Sequence, residues 1–222
     1  MTPIVITYYT PEYRHLLAPW RKALKPWRRE LGEGYAYEVP TQHDWALNCG
    51  QKPFVLRRHL QEFPDNPPFY VDVDAEIVAP WGWDEFAGYD VAFRALAHSN
   101  GRREVLSGTL WLGPGSMPLL DEWCMQQERW PREWDQRNLQ KALEHVTHLR
   151  ARELDATWCH IVSIHDQSTA SKTGNQVQVP AGTKIIQHQA SRTMRAVVDS
   201  GSDYHKARRL AIKAGTWKPG GK

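Results

Sequence analysis

The stretch Phe69-Tyr70-Val71-Asp72-Val73-Asp74-Ala75-Glu76-Ile77-Val78 decides the fold. Its first residues are aromatic and β-branched, as a buried strand requires, and they run into two carboxylates one residue apart. Alternate side chains of a strand share a face, so a strand over residues 69–73 makes Asp72 and Asp74 project the same way from its end. Two such anions repel each other unless a cation lies between them. Hard divalent ions, Mg²⁺ or Mn²⁺, suit paired oxygen ligands and keep coordination positions open for phosphate. The expectation is a metal-bridged diphosphate; the alternative is that one carboxylate merely caps the turn after the strand.

Upstream, residues 3–9 read as a first buried strand, and Thr10-Pro11-Glu12 begins a helix. Tyr13, Leu16, Leu17, Trp20, Leu24, Trp27 and Leu31 recur at helical spacing, while Pro19 and Pro26 predict a kinked or broken helix. Residues 35–39 form a second strand and 52–63 a second amphipathic helix. Strand, helix, strand, helix, strand predicts an α/β sheet with helices on its faces. Downstream, strands are expected over residues 90–96, 105–112 and 184–187, and helices over 117–127 and 135–146. Residues 167–178 are polar and read as a loop, and two short basic helices and a Gly/Pro-rich tail end the chain.

The 222 residues, 41% hydrophobic and 24% charged, fit one large globular domain. No apolar run reaches membrane-spanning length and the N-terminus does not read as a signal peptide, so a soluble, cytoplasmic protein is expected. Cys49, Cys124 and Cys159 are odd in number and widely spaced, which suggests neither a disulfide framework nor a zinc cluster. The net charge is only +3. Basic residues nevertheless gather at Arg21, Lys22, Lys25, Arg28 and Arg29 and again at Lys206, Arg208, Arg209, Lys213, Lys218 and Lys222, runs that solvated helix faces explain more often than nucleic acid does. Eleven tryptophans are the other oddity, and several are candidates for lining a cleft.

An ordered series of short motifs resembles the nucleotide-sugar-dependent glycosyltransferases of the GT-A type. The series comprises Thr7-Tyr8-Tyr9-Thr10 at a strand end, Lys52-Pro53-Phe54 at a helix start, and Asp72-Val73-Asp74. It continues with Ser107-Gly108-Thr109, Asp135-Gln136 at a helix start, and Ile185-Ile186-Gln187-His188. The resemblance implies a single Rossmann-like α/β domain over residues 1–200, with a mixed, mainly parallel central sheet flanked by helices, and a basic helix and tail over 201–222. It implies a metal site of Asp72, Asp74 and His188 holding Mn²⁺ or Mg²⁺, a set whose mixed oxygen and nitrogen donors suit either ion. It implies donor contacts from Thr7, Tyr8, Tyr9, Thr10, Lys52, Asp72, Ser107, Gly108 and Gln136, with a UDP-sugar the expected donor. Asp135 is the candidate catalytic carboxylate, as a base if the reaction inverts or as an orienting group if it retains; its alternative is a helix N-cap.

Where many retaining relatives carry a Trp-Asn pair, this sequence has Trp158-Cys159. His160 and His165 match no standard zinc spacing and are assigned a structural or surface role. The compact build resembles phage-type glycosyltransferases that sugar hydroxymethylated pyrimidines such as 5-hydroxymethylcytosine in DNA, including those associated with TET-like oxygenases; a phage-encoded protein would then act in the host cytoplasm. On that resemblance Lys206, Arg208, Arg209 and Lys213 contact phosphates, and Trp81 or Trp83 stacks beside a displaced base. A saccharide or protein acceptor, a nucleotidyltransferase and a non-catalytic nucleic-acid-binding module are the other readings. The Gly-rich basic loop that a nucleotidyltransferase places after its first strand is missing from the sequence.

Overall fold

The structure is a computed structural model that describes residues 1–162 and 179–188. Strand β1 (Ile4–Tyr9) is buried from Val5 onward. A 3-10 turn leads into helix α1 (Arg14–Leu24), and a second turn, Lys25–Trp27, separates it from α2 (Arg28–Leu31). Pro19 is accommodated inside α1, and the break falls at Pro26, which lies in the second turn. β2 (Tyr35–Glu38) follows, then α3 (Trp45–Cys49), α4 (Lys52–Glu62) and β3 (Pro68–Val71). Asp44 caps α3 by accepting from the Leu47 amide at 3.0 Å. Beyond β4 (Ala75–Ile77) come β5 (Val91–Ala97), β6 (Arg103–Leu112), α5 (Met117–Arg129) and α6 (Asp135–His145). β7 (Ala151–Leu154), β8 (His160–Ile161) and β9 (Ile185–Gln187) complete the described elements.

A six-stranded sheet has the order β2-β1-β3-β6-β5-β7. β6 runs antiparallel to both of its neighbours, and the remaining pairs are parallel. The mixed, mainly parallel sheet is therefore the one the sequence predicts. A smaller sheet, β4-β9-β8, lies beside it.

Strand alternation distributes the core between two layers. Val5, Phe69, Val71 and Trp111 face one layer, where Trp20 and Leu24 of α1, Leu31 of α2 and Ile185 of β9 cover them. Ile6, Tyr70, Leu110 and Leu112 face the other, against Leu56 of α4, Trp123 of α5 and Leu139 of α6. The first layer explains most of the tryptophans. Phe69 lies 4.6 Å from Trp81, Phe86 lies 5.0 Å from Trp111, and Phe86 lies 5.1 Å from Trp158, ring centre to ring centre. Fully burying one large side chain stabilises the fold by about 1.5–3 kcal/mol, and tilted ring pairs add about 0.5–1.5 kcal/mol each.

Two expectations need correction. Trp81 is buried and Trp83 is half-buried with its indole N–H donating to the Glu30 carbonyl, so neither is free to stack on a base. The third strand ends at Val71, two residues earlier than its apolar pattern suggests. Asp72 and Asp74 therefore lie in a turn, closed by the Ala75 amide donating to the Asp72 carbonyl at 3.0 Å. The loop over 167–178 and the basic terminal helices and tail fall outside the described residues.

The ladder between β5 and β6 is broken. Phe93 pairs with Leu110 and Ala95 with Val105, so residues 106–109 of β6 stand against Arg94 alone. A bulge of this kind re-aims side chains, and here it lies beside the cleft described below.

Asp90, just before β5, fastens β7 to the sheet. Its carboxylate accepts from the Arg150 amide at 2.9 Å, from Nε at 3.1 Å and from Nη2 at 2.6 Å. The Arg150 side chain lowers the Asp90 pKa below its ordinary 3.8, against the opposing effect of burial. A depressed carboxylate stabilises the fold above its unfolded value and loses that contribution as pH falls through its folded value. Asp90→Asn is expected to lower the thermal midpoint at pH 7 by about 3–6 °C, and the gap from the parent should close below about pH 4. Calorimetric scans of both proteins across pH 3–7 check this.

Candidate active site

A cleft of about 860 Å³ opens at the carboxyl ends of β1 and β3, where open α/β sheets bind ligands. Its floor is organised around Lys52. The first turn of α4 sends this side chain, 4% exposed, under the cleft. Its Nζ lies 2.8 Å from Asp135 Oδ2, 3.2 Å from Asp72 Oδ1 and 3.0 Å from Ser107 Oγ. Ser107 in turn donates to Asp135 Oδ2 at 2.6 Å, and the Tyr70 hydroxyl donates to Asp72 Oδ1 at 2.6 Å. Burial disfavours the ammonium, but Asp135 and then Asp72 outweigh it, so the Lys52 pKa is raised above 10.5.

Burial, reinforced by Asp72, keeps the Tyr70 phenol neutral and available as a donor. Burial, followed by the field of Asp135, likewise pushes the Cys49 thiol well above its usual range. Cys159, which also lines the cleft, is pushed up to about 11, again mainly by burial. Neither cysteine offers a thiolate nucleophile at neutral pH.

Asp135 does not cap its helix. Trp134 occupies the cap position, Asp135 stands in the first turn, and its carboxylate crosses to Ser107 and Lys52. An acidic side chain is favoured there by the helix dipole. The Trp123 indole donates to the Asp135 backbone carbonyl at 2.9 Å and fixes the start of α6 from below.

Gly108 lies between the two sides of the floor. Its carbonyl accepts from the Asp72 amide at 3.0 Å. A Cβ at this position would come within 1.9 Å of Gln187 Nε2 and 2.4 Å of Asp72 Oδ2. A side chain here would push the ends of Gln187 and Asp72 from their places on the floor.

Of the residues that the sequence singles out, Tyr8, Tyr9, Thr10, Lys52, Asp72, Asp74, Ser107, Gly108, Asp135 and Gln136 all line the cleft. Thr7 does not: it is fully buried within β1. Tyr8 is held by the carbonyls of Asn48 and Cys49, at 3.1 Å each, and lies 6.0 Å from the Tyr70 ring. His188 is brought beside Asp74 by its backbone, whose amide donates to the Asp74 carbonyl at 3.4 Å. Its imidazole Nε2 lies 3.3 Å from Glu76 Oε2, and the cleft wall is formed instead by the preceding residue, Gln187. Among the described residues no three His, Cys, Asp or Glu side chains are gathered as a metal-binding set. Lys206, Arg208, Arg209, Lys213 and His165 lie outside the described residues.

Sequence reasoning missed Trp45, Arg94, His98, Glu104 and Trp134 as cleft residues, and it assigned His160, which also lines the cleft, a structural role. Arg94, Leu96 and His98 alternate along β5 and its continuation, a period that could have placed them on one face. The break in β6 that opens the cleft there leaves no comparable signal.

No protein-family model matches the chain, and no curated protein matches it. Solved structures do. A glycosyltransferase involved in the glycosylation of the major capsid of PBCV-1 aligns with a TM-score of 0.60 at 11% identity, over 88% of this chain and 97% of that one. The galactosyltransferase LgtC, solved with donor and acceptor sugar analogues, aligns with a TM-score of 0.50 at 7% identity, over 97% of each chain. At such identities the likeness establishes architecture: this chain has the GT-A fold of glycosyltransferases.

The buried cation can be tested without any assay of activity. Lys52→Met leaves Asp72 and Asp135 facing each other, and a broken buried ion pair is expected to cost about 3–5 kcal/mol in urea unfolding at pH 7. Adding Asp135→Asn should recover part of that loss, measured as a double-mutant cycle. Because the ammonium titrates above its ordinary 10.5, its stabilisation is complete below that pH and is lost as pH rises through the folded value.

Proposed function

We propose that the chain transfers a glycosyl group from a nucleotide-diphosphate sugar, a UDP-sugar in the first instance, to a hydroxyl acceptor. The observation that carries this reading is the Lys52, Asp72, Ser107 and Asp135 cluster at the floor of a cleft in a GT-A fold. Asp135 spends one oxygen, Oδ2, on both Lys52 and Ser107, which leaves Oδ1 for a sugar hydroxyl. Gly108, without a side chain, lets the sugar lie close to the sheet. Tyr9 and Thr10 line the end of the cleft suited to the nucleotide.

The donor types of Asp72, Asp74 and His188 suit a divalent ion, and their side chains would have to gather to hold it. Asp72 and Asp74 face the cleft from one turn, and His188 is hydrogen-bonded to Asp74 through the main chain. These three would hold Mn²⁺ or Mg²⁺, the imidazole turning from Glu76. Bound there, the ion would supply Lewis-acid stabilisation of the diphosphate leaving group. Lys52 adds a fixed positive charge beside Asp72.

A hydroxymethylated pyrimidine in DNA is the acceptor that the sequence resemblance alone suggests. It stands on Lys206, Arg208, Arg209 and Lys213, outside the described residues, and an acceptor panel of modified oligonucleotides and simple glycosides decides it.

The central test incubates the purified protein with UDP-glucose, UDP-galactose and UDP-N-acetylglucosamine, without acceptor, and follows UDP release. Release dependent on Mn²⁺ or Mg²⁺ and abolished by chelator is expected. Asp72→Asn and Asp74→Asn should each lower the rate by about a hundredfold or more, while Asp135→Asn should lower turnover with donor KM changed less than about threefold. Full activity of Asp74→Asn in chelator would eliminate the metal-bridged reading.

A further inference from the structure

The cleft extends past the Ser107 and Gly108 floor onto β5 and β6, where Arg94, Leu96, Glu104 and Leu106 form its wall. Nothing in the donor reading uses this wall. Its one fixed cation with no ion pair among the described residues is Arg94. The neighbouring carboxylate, Glu104, is already taken: His98 reaches it at 2.8 Å, Arg102 at 3.0 Å, and the Gln136 amide donates to its other oxygen. Arg94 Nη1 donates to the carbonyl of Ala95, and Nε is buried without a partner.

A guanidinium left in this condition is costly. An unsatisfied buried donor costs about 1–3 kcal/mol, and more when the group is charged. Arg94 sits at the bulge, where a strand residue is re-aimed from its regular direction. A rotamer change that turns its Nε–Nη2 edge toward the cleft would exchange one carbonyl hydrogen bond for two bonds to an oxyanion, the fork geometry that suits carboxylate and phosphate. Leu96 and Leu106 flank it with apolar surface. Trp45 and Trp134, 5.9 Å apart in an edge arrangement, supply indole rings elsewhere on the cleft wall, on which the C–H face of a pyranose can rest.

We infer that Arg94 is a specificity-determining residue that selects an acceptor saccharide bearing an oxyanion, a carboxylate or a phosphate ester, a reading that rests on glycosyl transfer as the reaction. A single half-buried guanidinium beside leucines suits one small charged group on a sugar better than the repeated phosphates of a nucleic acid, which call for several exposed cations.

The test measures binding and needs no turnover. Wild-type protein is titrated calorimetrically with methyl glucuronide, glucose 6-phosphate and methyl glucoside at low salt. At least one anionic sugar should bind about tenfold or more tightly than the glucoside, and whichever wins identifies the anion as carboxylate or phosphate. The advantage should shrink with added NaCl. Arg94→Gln should remove it while changing glucoside affinity less than about twofold, and Arg94→Lys should keep part of it.

Equal affinities for the three sugars, or an advantage that persists in Arg94→Gln, would overturn the assignment. So would a matching loss of UDP affinity in Arg94→Gln, which would give the guanidinium to the donor diphosphate. Preference for a hydroxymethylated oligonucleotide over both anionic sugars would overturn it as well. Should Arg94→Gln fail to fold, the salt series on the wild type decides, because a preference indifferent to NaCl is not an ionic contact. Absence of UDP-sugar hydrolysis would defeat glycosyl transfer alone, so the two failures are seen separately.

Discussion

The ammonium of Lys52, enclosed between Asp72 and Asp135, is the contact on which the cleft depends. It joins the start of α4, the turn after β3, the broken stretch of β6 and the start of α6 at a single nitrogen. A buried ion costs several kcal/mol of desolvation, so the cluster persists only while all its partners are in place. The second core layer holds those partners from beneath. Tyr70 fixes Asp72 and Trp123 fixes the backbone of Asp135, so the rigidity of the helical layer passes directly to the floor of the cleft.

The two faces of the sheet contribute differently. The aromatic layer of Phe69, Trp81, Phe86, Trp111 and Trp158 is a packing solution, in which large rings fill the space between the main sheet and the small one. The helical layer carries the polar groups that reach the cleft. Burial there keeps Tyr8, Tyr70 and Cys49 uncharged, which confines charge on the floor to its carboxylates and one lysine. Asp72 and Asp135 face that lysine and Asp74 lines the cleft with them, and the excess of negative charge favours a cationic ligand or a reacting centre that becomes positive.

Much of this was legible in the sequence because central parallel strands are buried on both faces and read as continuous apolar runs. Residues 4–9 and 68–71 show this plainly, and α4 and α6 announce themselves by spacing and by Pro53 and Asp135 in their first turns. The turn at Asp72–Ala75 was not legible, because Val-Asp-Val-Asp-Ala-Glu-Ile alternates as a strand would while a tertiary contact with β9 decides where the strand stops. β7 escaped because an edge strand with the burial of Ala151–Leu154 has no apolar face to display. The motif residues of the site were found, but not their mutual contacts. Lys52 is 55 residues from Ser107, and no local pattern records that pairing.

The order of β4, β8 and β9 has a consequence for how the protein is made. Residues 1–154 contain every strand of the main sheet, which can assemble as soon as β7 has left the ribosome. Gln187, which reaches Asp72 across Gly108, belongs to the last described strand, and β4 must wait for the same strand to find its partner. A nascent chain thus acquires its main sheet and helical layer before Trp158 and Ile185 complete the aromatic layer and before its cleft is closed. During that interval the paired aspartates stand open on a scaffold already folded, and the cleft is completed by a contact of very long sequence separation, the slowest kind to form.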